Sequence, residues 1–248
     1  MDIKKYYATM SKIYLNQMIM ISLAFSGSCI ILSSFQVNKL IPYMMAVVWL
    51  FIAVFFVKYL YYKGKNRQIK LDSIKPYKEN EVDQQYMIEF LPSSSFYAQF
   101  YTSNGICSWE IKGAHKKRKG KTTIDHYLLQ NKAQMKRILI KITHHNRPKL
   151  TVSCSSFHKM FYLARNNRRK IVFQSKKDDM VVQKNHNEEI ECVYNGKMIA
   201  RVRRGFMPVK WQQIFSPNTP ILSFEHNVND EEKILTTAFL VYFYLYKV

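Results

Sequence analysis

The chain has 248 residues, of which 48% are hydrophobic, and a formal net charge of +21. So strong a basic excess favours anionic partners, either lipid headgroups or nucleic acid. The four cysteines, Cys29, Cys107, Cys154 and Cys192, lie far apart and form no CxxC pair. This spacing excludes a thioredoxin-type redox motif and the usual zinc-binding motifs.

Two long uncharged segments open the chain. Residues 13–38 contain no charged side chain and residues 40–57 contain none, with only Lys39 between them. A helix needs about 20 apolar residues to cross a bilayer, so this pattern predicts two transmembrane helices, at about 13–35 and 40–60. A cleaved secretory signal is the alternative for the first segment, but its uncharged run exceeds the ~7–15 residues of a signal core.

The basic residues after the second segment predict the orientation. Lys and Arg are enriched on the cytoplasmic side of membrane spans, and these residues crowd the exit of the second span: Lys58, Lys63, Lys65, Arg67, Lys70, Lys75 and Lys78. We therefore expect a multi-pass protein of the cell membrane with both ends in the cytoplasm. The expected parts are a cytoplasmic N-terminus (1–12), a transmembrane α-hairpin (13–62), a basic juxtamembrane linker (63–82) and a cytoplasmic domain (83–248).

The region after residue 83 has the pattern of an antiparallel β-domain. Short runs rich in aromatic and β-branched residues alternate with turn residues, which is typical of a sandwich or a barrel. Thirteen strands are predicted, at residues 86–91, 96–102, 106–112, 123–130, 136–143, 149–154, 160–164, 170–174, 180–184, 190–194, 198–203, 210–215 and 221–225. The length left after the spans is enough for one domain with a true core.

Two turns and one alternating run predict local geometry. Ser103-Asn104-Gly105 and Asn195-Gly196 predict hairpins, the second with the two-residue turn that needs positive φ. Period-2 alternation in residues 198–203 places three side chains on each face of the strand. One face is expected to carry Met198, Ala200 and Val202, and the other Ile199, Arg201 and Arg203.

The C-terminus departs from the β pattern. Residues 229–232 read Asn-Asp-Glu-Glu, which is typical of a helix start with Asn229 or Asp230 as the cap. Residues 234–246 then carry no charge and no polar stripe, so the helix must be buried. A helix of this length rises only about 20 Å, too little to span a membrane unaided. We expect it inside a barrel, and a third membrane span over residues 234–248 is the alternative.

With this pattern the chain resembles the tubby C-terminal-like fold shared by tubby proteins, phospholipid scramblases and LURP-one-related proteins. The resemblance covers about residues 86–248. It is carried by the strand count and by the closing segments Ile221-Leu222-Ser223-Phe224, Asp230-Glu231-Glu232 and Thr237-Ala238-Phe239-Leu240-Val241-Tyr242-Phe243. The chain is similar in particular to small bacterial membrane proteins that attach such a domain to two helices.

The resemblance implies a barrel of about twelve antiparallel strands around a central hydrophobic C-terminal helix. Tubby domains bind phosphoinositide headgroups through basic residues, but no basic motif aligns position by position here, so no residue role is carried over. The palmitoylated cysteine-rich stretch and the calcium-binding segment of scramblases are not visible in this sequence. Scrambling activity and calcium control are therefore not implied.

Three basic clusters supply the candidate lipid-binding residues. They are Lys116, Lys117, Arg118, Lys119 and Lys121; Arg165, Arg168, Arg169 and Lys170; and Arg201, Arg203 and Arg204. The first lies between two predicted strands, so it is interpreted either as a flexible loop that contacts headgroup phosphates or as a solvated hairpin tip. The second also straddles a turn. Whether barrel closure brings these clusters to the same end is left open by the sequence.

Catalytic and metal motifs are not indicated. His144 and His145 are adjacent, so on a strand they point to opposite faces and do not form a simple pair of metal ligands. Asp125-His126 and the run 153–156 contain nucleophile and base types, but no GxSxG elbow surrounds them. No phosphate-binding glycine loop occurs either. We therefore predict a non-enzymatic protein without metal or cofactor.

These observations lead to three functional hypotheses. The leading one is a membrane-anchored tubby-like module that interacts with anionic phospholipids, because residues 58–248 hold 34 basic and 16 acidic side chains beside a membrane. The second is an interaction subunit in which the spans and the barrel hold a protein partner. The third, membrane-tethered nucleic-acid binding, is disfavoured because the membrane is always within reach of the tethered domain.

Overall fold

A computed structural model describes residues 2–34, 41–69, 84–93, 95–119, 122–131, 137–144, 148–167, 169–205 and 207–246. The chain divides into two compact units, residues 1–75 and 76–248. Each is described by itself below.

The N-terminal unit is a pair of packed helices, α1 (Ile3–Ser34) and α2 (Ile41–Gln68). Both are long and apolar enough to cross a membrane. Aromatic rings join them, as where Tyr14 stacks on Tyr62 with centroids 5.3 Å apart. The helices extend beyond the predicted spans: Asp2 accepts the backbone N–H of Lys5 at the start of α1, and α2 continues to residue 68.

Residues 63–68, at the start of the predicted juxtamembrane linker, are therefore helical. Lys65 and Arg67 stand in the last turn of α2. Cations there are favoured by the negative end of the helix dipole, so the basic composition that suggested a linker is compatible with a helix end. The remainder of the predicted linker, residues 70–82, lies outside the described residues.

The C-terminal unit is a closed antiparallel barrel of twelve strands. The strands are β1 (Gln85–Phe90), β2 (Tyr97–Tyr101), β3 (Cys107–Lys119), β4 (Thr122–Asn131), β5 (Arg137–His144), β6 (Lys149–Ser153), β7 (His158–Asn167), β8 (Lys170–Gln174), β9 (Asp179–Lys184), β10 (Ile190–Tyr194), β11 (Lys197–Arg203) and β12 (Ile221–Phe224). Each strand pairs with its neighbours in sequence, and β1 pairs with β12 to close the barrel, as between Met87 and Ile221.

Twelve of the thirteen predicted strands are confirmed, and the exception is residues 210–215. This segment contains a short helix, α3 (Val209–Gln212), which follows Pro208. Ile214 and Phe215 are buried and Trp211 is half-buried. Spacing of i, i+3 and i+4 among these three residues is that of a helical turn rather than a strand.

The alternation predicted for residues 198–203 was wrong at its first two positions. Cys192 pairs with Ala200 and Val193 pairs with Met198, so Ile199 is the extra residue of a β-bulge. Ile199 is consequently buried in the core together with Ala200 and Val202. The turn before this strand follows its prediction, because Asn195 and Gly196 both have positive φ, 50° and 77°.

The helix α4 (Asp230–Tyr246) runs through the barrel. Asn229 and Glu232 form a capping box: the Asn229 side chain accepts the Glu232 N–H, and the Glu232 carboxylate accepts the Asn229 N–H, both at 2.9 Å. Residues 234–243 are all buried. The ring of Phe239 lies 5.0 Å from those of Phe161 and Phe173 on the barrel wall. The helix is therefore the core of the domain, and the alternative of a third membrane span is wrong.

Candidate functional site

The barrel has two rims, and each is formed by one set of strand ends. All neighbouring strands are antiparallel, so every odd-numbered strand ends, and every even-numbered strand begins, at the same rim. The helix α4 starts where β12 ends and therefore finishes at that first rim. We call the rim at which α4 finishes the upper rim, and the opposite one, at which α4 begins, the lower rim.

All three predicted basic clusters lie at the upper rim. They belong to the ends of β3, β7 and β11 and to the start of β8, and these odd strands are four positions apart in a barrel of twelve. Each cluster thus lies about one third of the circumference from the next. A barrel of this size is about 20–25 Å wide, given a strand spacing of about 4.8 Å and a tilt of about 40°. The basic residues form a ring rather than a patch on one side.

The first cluster lies in a strand, not in a loop. Residues 116–119 continue β3 and pair with β4, with Lys116 opposite Asp125 and Lys119 opposite Thr122. A register shift between Gly113 and His115 marks a bulge through which the strand continues past its predicted end at residue 112. The interpretation of this run as a flexible loop was therefore wrong for these four residues. Lys121 lies outside the described residues.

The second and third clusters contain both exposed and paired residues. Arg165 and Arg169 are exposed, Lys170 is half-buried, and Arg168 lies outside the described residues. Arg203 and Arg204 are also exposed.

Arg201 differs from the other candidates because carboxylates already surround it. Its guanidinium lies 3.6 Å from Glu189 and 3.9 Å from Glu191. Hydrogen bonds from Gln183 and Asn185, together with the charge of Arg201, hold the pKa of Glu191 below its usual value. Arg201 is therefore the least available of the described candidates for an external anion.

A cavity of about 760 Å³ opens at the upper rim, beside the end of α4. Its lining includes Phe96, Asp125, Tyr127, His144 and Tyr246. The β1–β2 connection closes one side, where a Cβ on Gly113 would stand 2.7 Å from the Cβ of Ser95. Only glycine allows this approach. We call this space the upper cavity.

Three side chains hold the end of α4 against the cavity wall. The Tyr246 hydroxyl donates to Oδ2 of Asp125 at 2.9 Å, and Nε2 of His144 lies 3.2 Å from the same oxygen. The hydroxyl and Nε2 are 2.8 Å apart. His144 is the last residue of β5, while His145 lies outside the described residues. The trio therefore links β4, β5 and α4.

The chemistry of the trio is that of a hydrogen-bonded tether. Burial and the hydrogen bond to Asp125 raise the pKa of Tyr246, and burial with the nearby Asp125 charge raises the pKa of Tyr127 to about 12. Both phenols are protonated donors near neutral pH. One nitrogen of His144 contacts both partners, whereas a catalytic relay uses its two ring nitrogens for two different partners. The arrangement does not form a nucleophilic triad.

The lower rim carries a different arrangement, centred on Lys159. Its ammonium lies 2.6 Å from Glu231 and 3.2 Å from Asp178, and donates to the Tyr194 hydroxyl at 2.8 Å. Burial opposes this charge, but the hydrogen bonds to Glu231, Tyr194 and Asp178 together raise the pKa of Lys159. The lysine joins β7, the β8–β9 turn, β10 and the start of α4, which is a structural role.

The nucleophile types noted at residues 153–156 also lie at the lower rim. Ser153 Oγ is 2.7 Å from Nδ1 of His158, and Cys154 Sγ is 3.1 Å from Ser156 Oγ. Among the described side chains, no carboxylate orients the other nitrogen of His158. Within that same part of the chain, no group of three or more His, Cys, Asp or Glu side chains could hold a metal ion.

Comparison with known proteins adds no assignment. No family model, no curated protein and no solved structure matches this chain. The resemblance to tubby C-terminal-like domains therefore stays a prediction, and the roles of individual residues rest on the geometry described above.

Proposed function

We propose that this protein is a membrane-anchored, non-enzymatic module whose upper rim binds anionic lipid headgroups at the cytoplasmic face of the cell membrane. The observation that carries the proposal is the placement of all three basic clusters on one rim. The tubby-like identity belongs to the same proposal, supported by a closed barrel of twelve strands around a C-terminal helix. Two helices long enough to cross a membrane support the anchor.

The distribution of the charge favours a flat anionic surface. Clusters spaced by thirds around a circular rim can all reach a plane at once, whereas nucleic-acid sites are usually a basic patch or a stripe that follows the backbone. Each Lys or Arg near an anionic leaflet contributes about 1 kcal/mol. The exposed upper-rim residues are therefore sufficient for firm attachment without any single specific contact.

Flotation with liposomes tests the proposal. A fragment of residues 84–248, first shown to be folded by circular dichroism, is mixed with phosphatidylcholine vesicles that contain graded amounts of phosphatidylglycerol, at low and high salt. We expect binding that rises with the anionic fraction and falls with salt. The variant K116E/K117E/R118E/K119E should lose it.

A matched control makes the same charge change at the lower rim. Arg137, Lys176, Lys177 and Lys197 are exposed there, and R137E/K176E/K177E/K197E alters the net charge equally. We expect this variant to keep most of the binding. Equal loss in both variants, or binding that ignores the anionic fraction, would contradict the proposal. In that case a stoichiometric protein partner, isolated with the full chain, or a steep salt dependence with nucleic acid would identify the alternative.

A further inference from the structure

The carboxylate of Asp125 lines the upper cavity, and its contacts within the described part of the chain use one of its two oxygens. Both contacts of Asp125, with Tyr246 and with His144, are made through Oδ2. Among the side chains that the structure describes, none hydrogen-bonds Oδ1. The Asp125 side chain is 13% exposed and lines the cavity. A carboxylate acceptor therefore faces this space.

Aromatic rings surround the same carboxylate. Phe96 and Tyr127 form an edge-to-face pair with centroids 6.3 Å apart, and His144 and Tyr246 form a second pair at 5.0 Å. All four rings line the upper cavity. The electron-rich faces of phenol and benzene rings attract organic cations, so the rings and the carboxylate favour the same kind of ligand.

A metal ion fits this cavity poorly, because hard cations require several oxygen ligands. Asp125 is the one carboxylate among the described lining residues. An ammonium group fits better, since it donates hydrogen bonds to a single carboxylate and packs against aromatic faces.

The strand beside the cavity wall supplies the opposite charge. Asp125 and Thr123 line the cavity from β4, and they pair with Lys116 and Arg118 of β3. Paired residues on antiparallel strands stand about 5 Å apart. The two paired strands thus combine an acidic residue with basic ones, which is the charge pattern of a ligand that bears both an ammonium group and a phosphate.

We propose that the upper cavity binds the ammonium group of a phosphodiester headgroup such as phosphoethanolamine, with Asp125 as its acceptor and the four rings as its walls. This inference rests on the proposed function, because the phosphate of the headgroup would be held by the basic ring. It adds a headgroup preference to what is otherwise attraction by charge alone.

Calorimetric titration of the full chain in neutral maltoside micelles tests the inference. The probes are glycerophosphoethanolamine and glycerophosphoglycerol, which share the phosphodiester but differ in the ammonium group. We expect the ethanolamine probe to bind at least roughly tenfold more tightly, the effect of one hydrogen-bonded charge pair. In D125N this preference should disappear, while E225Q, an acid-to-amide change at an exposed lower-rim position, should keep it.

Equal binding of the two probes by the wild type would overturn the inference even if D125N does not fold, and so would a preference that survives in folded D125N. Liposome flotation separates the failure of this inference from the failure of the proposed function. Charge-dependent flotation together with equal binding of the two probes contradicts only the cavity assignment. Flotation that does not depend on the anionic lipid contradicts the proposed function itself.

Discussion

Basic residues occur at both rims of the barrel, but their surroundings differ. At the lower rim, Lys159 is enclosed by two carboxylates and a phenol, and the exposed lysines share the rim with the acidic residues that start α4. At the upper rim, three glutamates lie beside basic residues: Glu188 pairs with Lys184, and Glu189 and Glu191 face Arg201.

The exposed arginines of the upper rim are therefore left without an ion pair in the described part of the chain. They are Arg165, Arg169, Arg203 and Arg204. Paired charge at the lower rim stabilises the fold, whereas the exposed like charges at the upper rim repel one another. The same residue types thus serve structure at one end and, under the proposed function, binding at the other.

Beyond the β3 variant described above, the largest effect is expected from reversing arginines of the other two upper-rim clusters. R165E/R169E/R203E should weaken binding to anionic vesicles by roughly 100-fold, because each lost cation removes about 1 kcal/mol. Flotation or tryptophan fluorescence would measure the change. K176E/K177E/K197E at the lower rim is the matched control. Unchanged binding in the upper-rim triple variant would mean that only the β3 cluster binds the vesicles and that the basic residues do not act together as a ring.

A smaller effect, on stability rather than binding, is expected at the lower rim. Lys159→Met should lower the free energy of unfolding of the barrel by about 2 kcal/mol, because Asp178 and Glu231 lose a charged partner in a partly buried position. Urea unfolding followed by circular dichroism would measure it. Arg203→Met, which removes an exposed upper-rim charge, should change stability by less than about 0.5 kcal/mol. Similar losses of unfolding free energy in both variants would contradict the stabilising role assigned to the lower-rim ion pairs.

The tether at the end of α4 is expected to contribute less. Tyr246→Phe should cost about 1 kcal/mol of unfolding free energy, since one hydrogen bond to Asp125 is lost while the ring remains. The same urea experiment would detect it. Tyr162→Phe serves as a control with almost no cost, because its exposed hydroxyl on β7 donates to a methionine sulfur, a weak acceptor. A loss equal to that of the control would mean that the trio does not hold the helix.

The smallest effect is a pH dependence that belongs to the lower rim. Burial opposes ionisation of Asp178, but hydrogen bonds from Asn195, Tyr194 and Lys159 lower its pKa below the model-peptide value of 3.8. A lowered folded-state pKa contributes stability that is complete above the unfolded-state pKa and is lost as pH falls through the folded-state value. The unfolding free energy should therefore drop below about pH 4. In Asp178→Asn this drop should be shallower, and identical pH profiles would contradict the assignment.

Much of the fold could be predicted from the sequence because its signals are local. The uncharged runs, the Asn195-Gly196 turn, the Asn229 cap and the charge-free stretch 234–246 each reflect a few neighbouring residues. The wrong predictions came where local patterns were ambiguous. Residues 210–215 are apolar enough for a strand or a helical turn, and the bulge at Ile199 is set by the pairing of β11 with β10.

The candidate site was predicted only in its composition. The sequence identified the three basic clusters, the buried helix and two helices long enough to cross a membrane, because charge, periodicity and hydrophobic length are properties of short segments. The tertiary structure decided that the clusters share one rim, because that depends on the antiparallel pairing of every strand with its neighbours. It also brought Asp125 to Tyr246, 121 positions away, since contacts between distant residues follow from the packing of the whole chain and leave no periodic trace in its sequence.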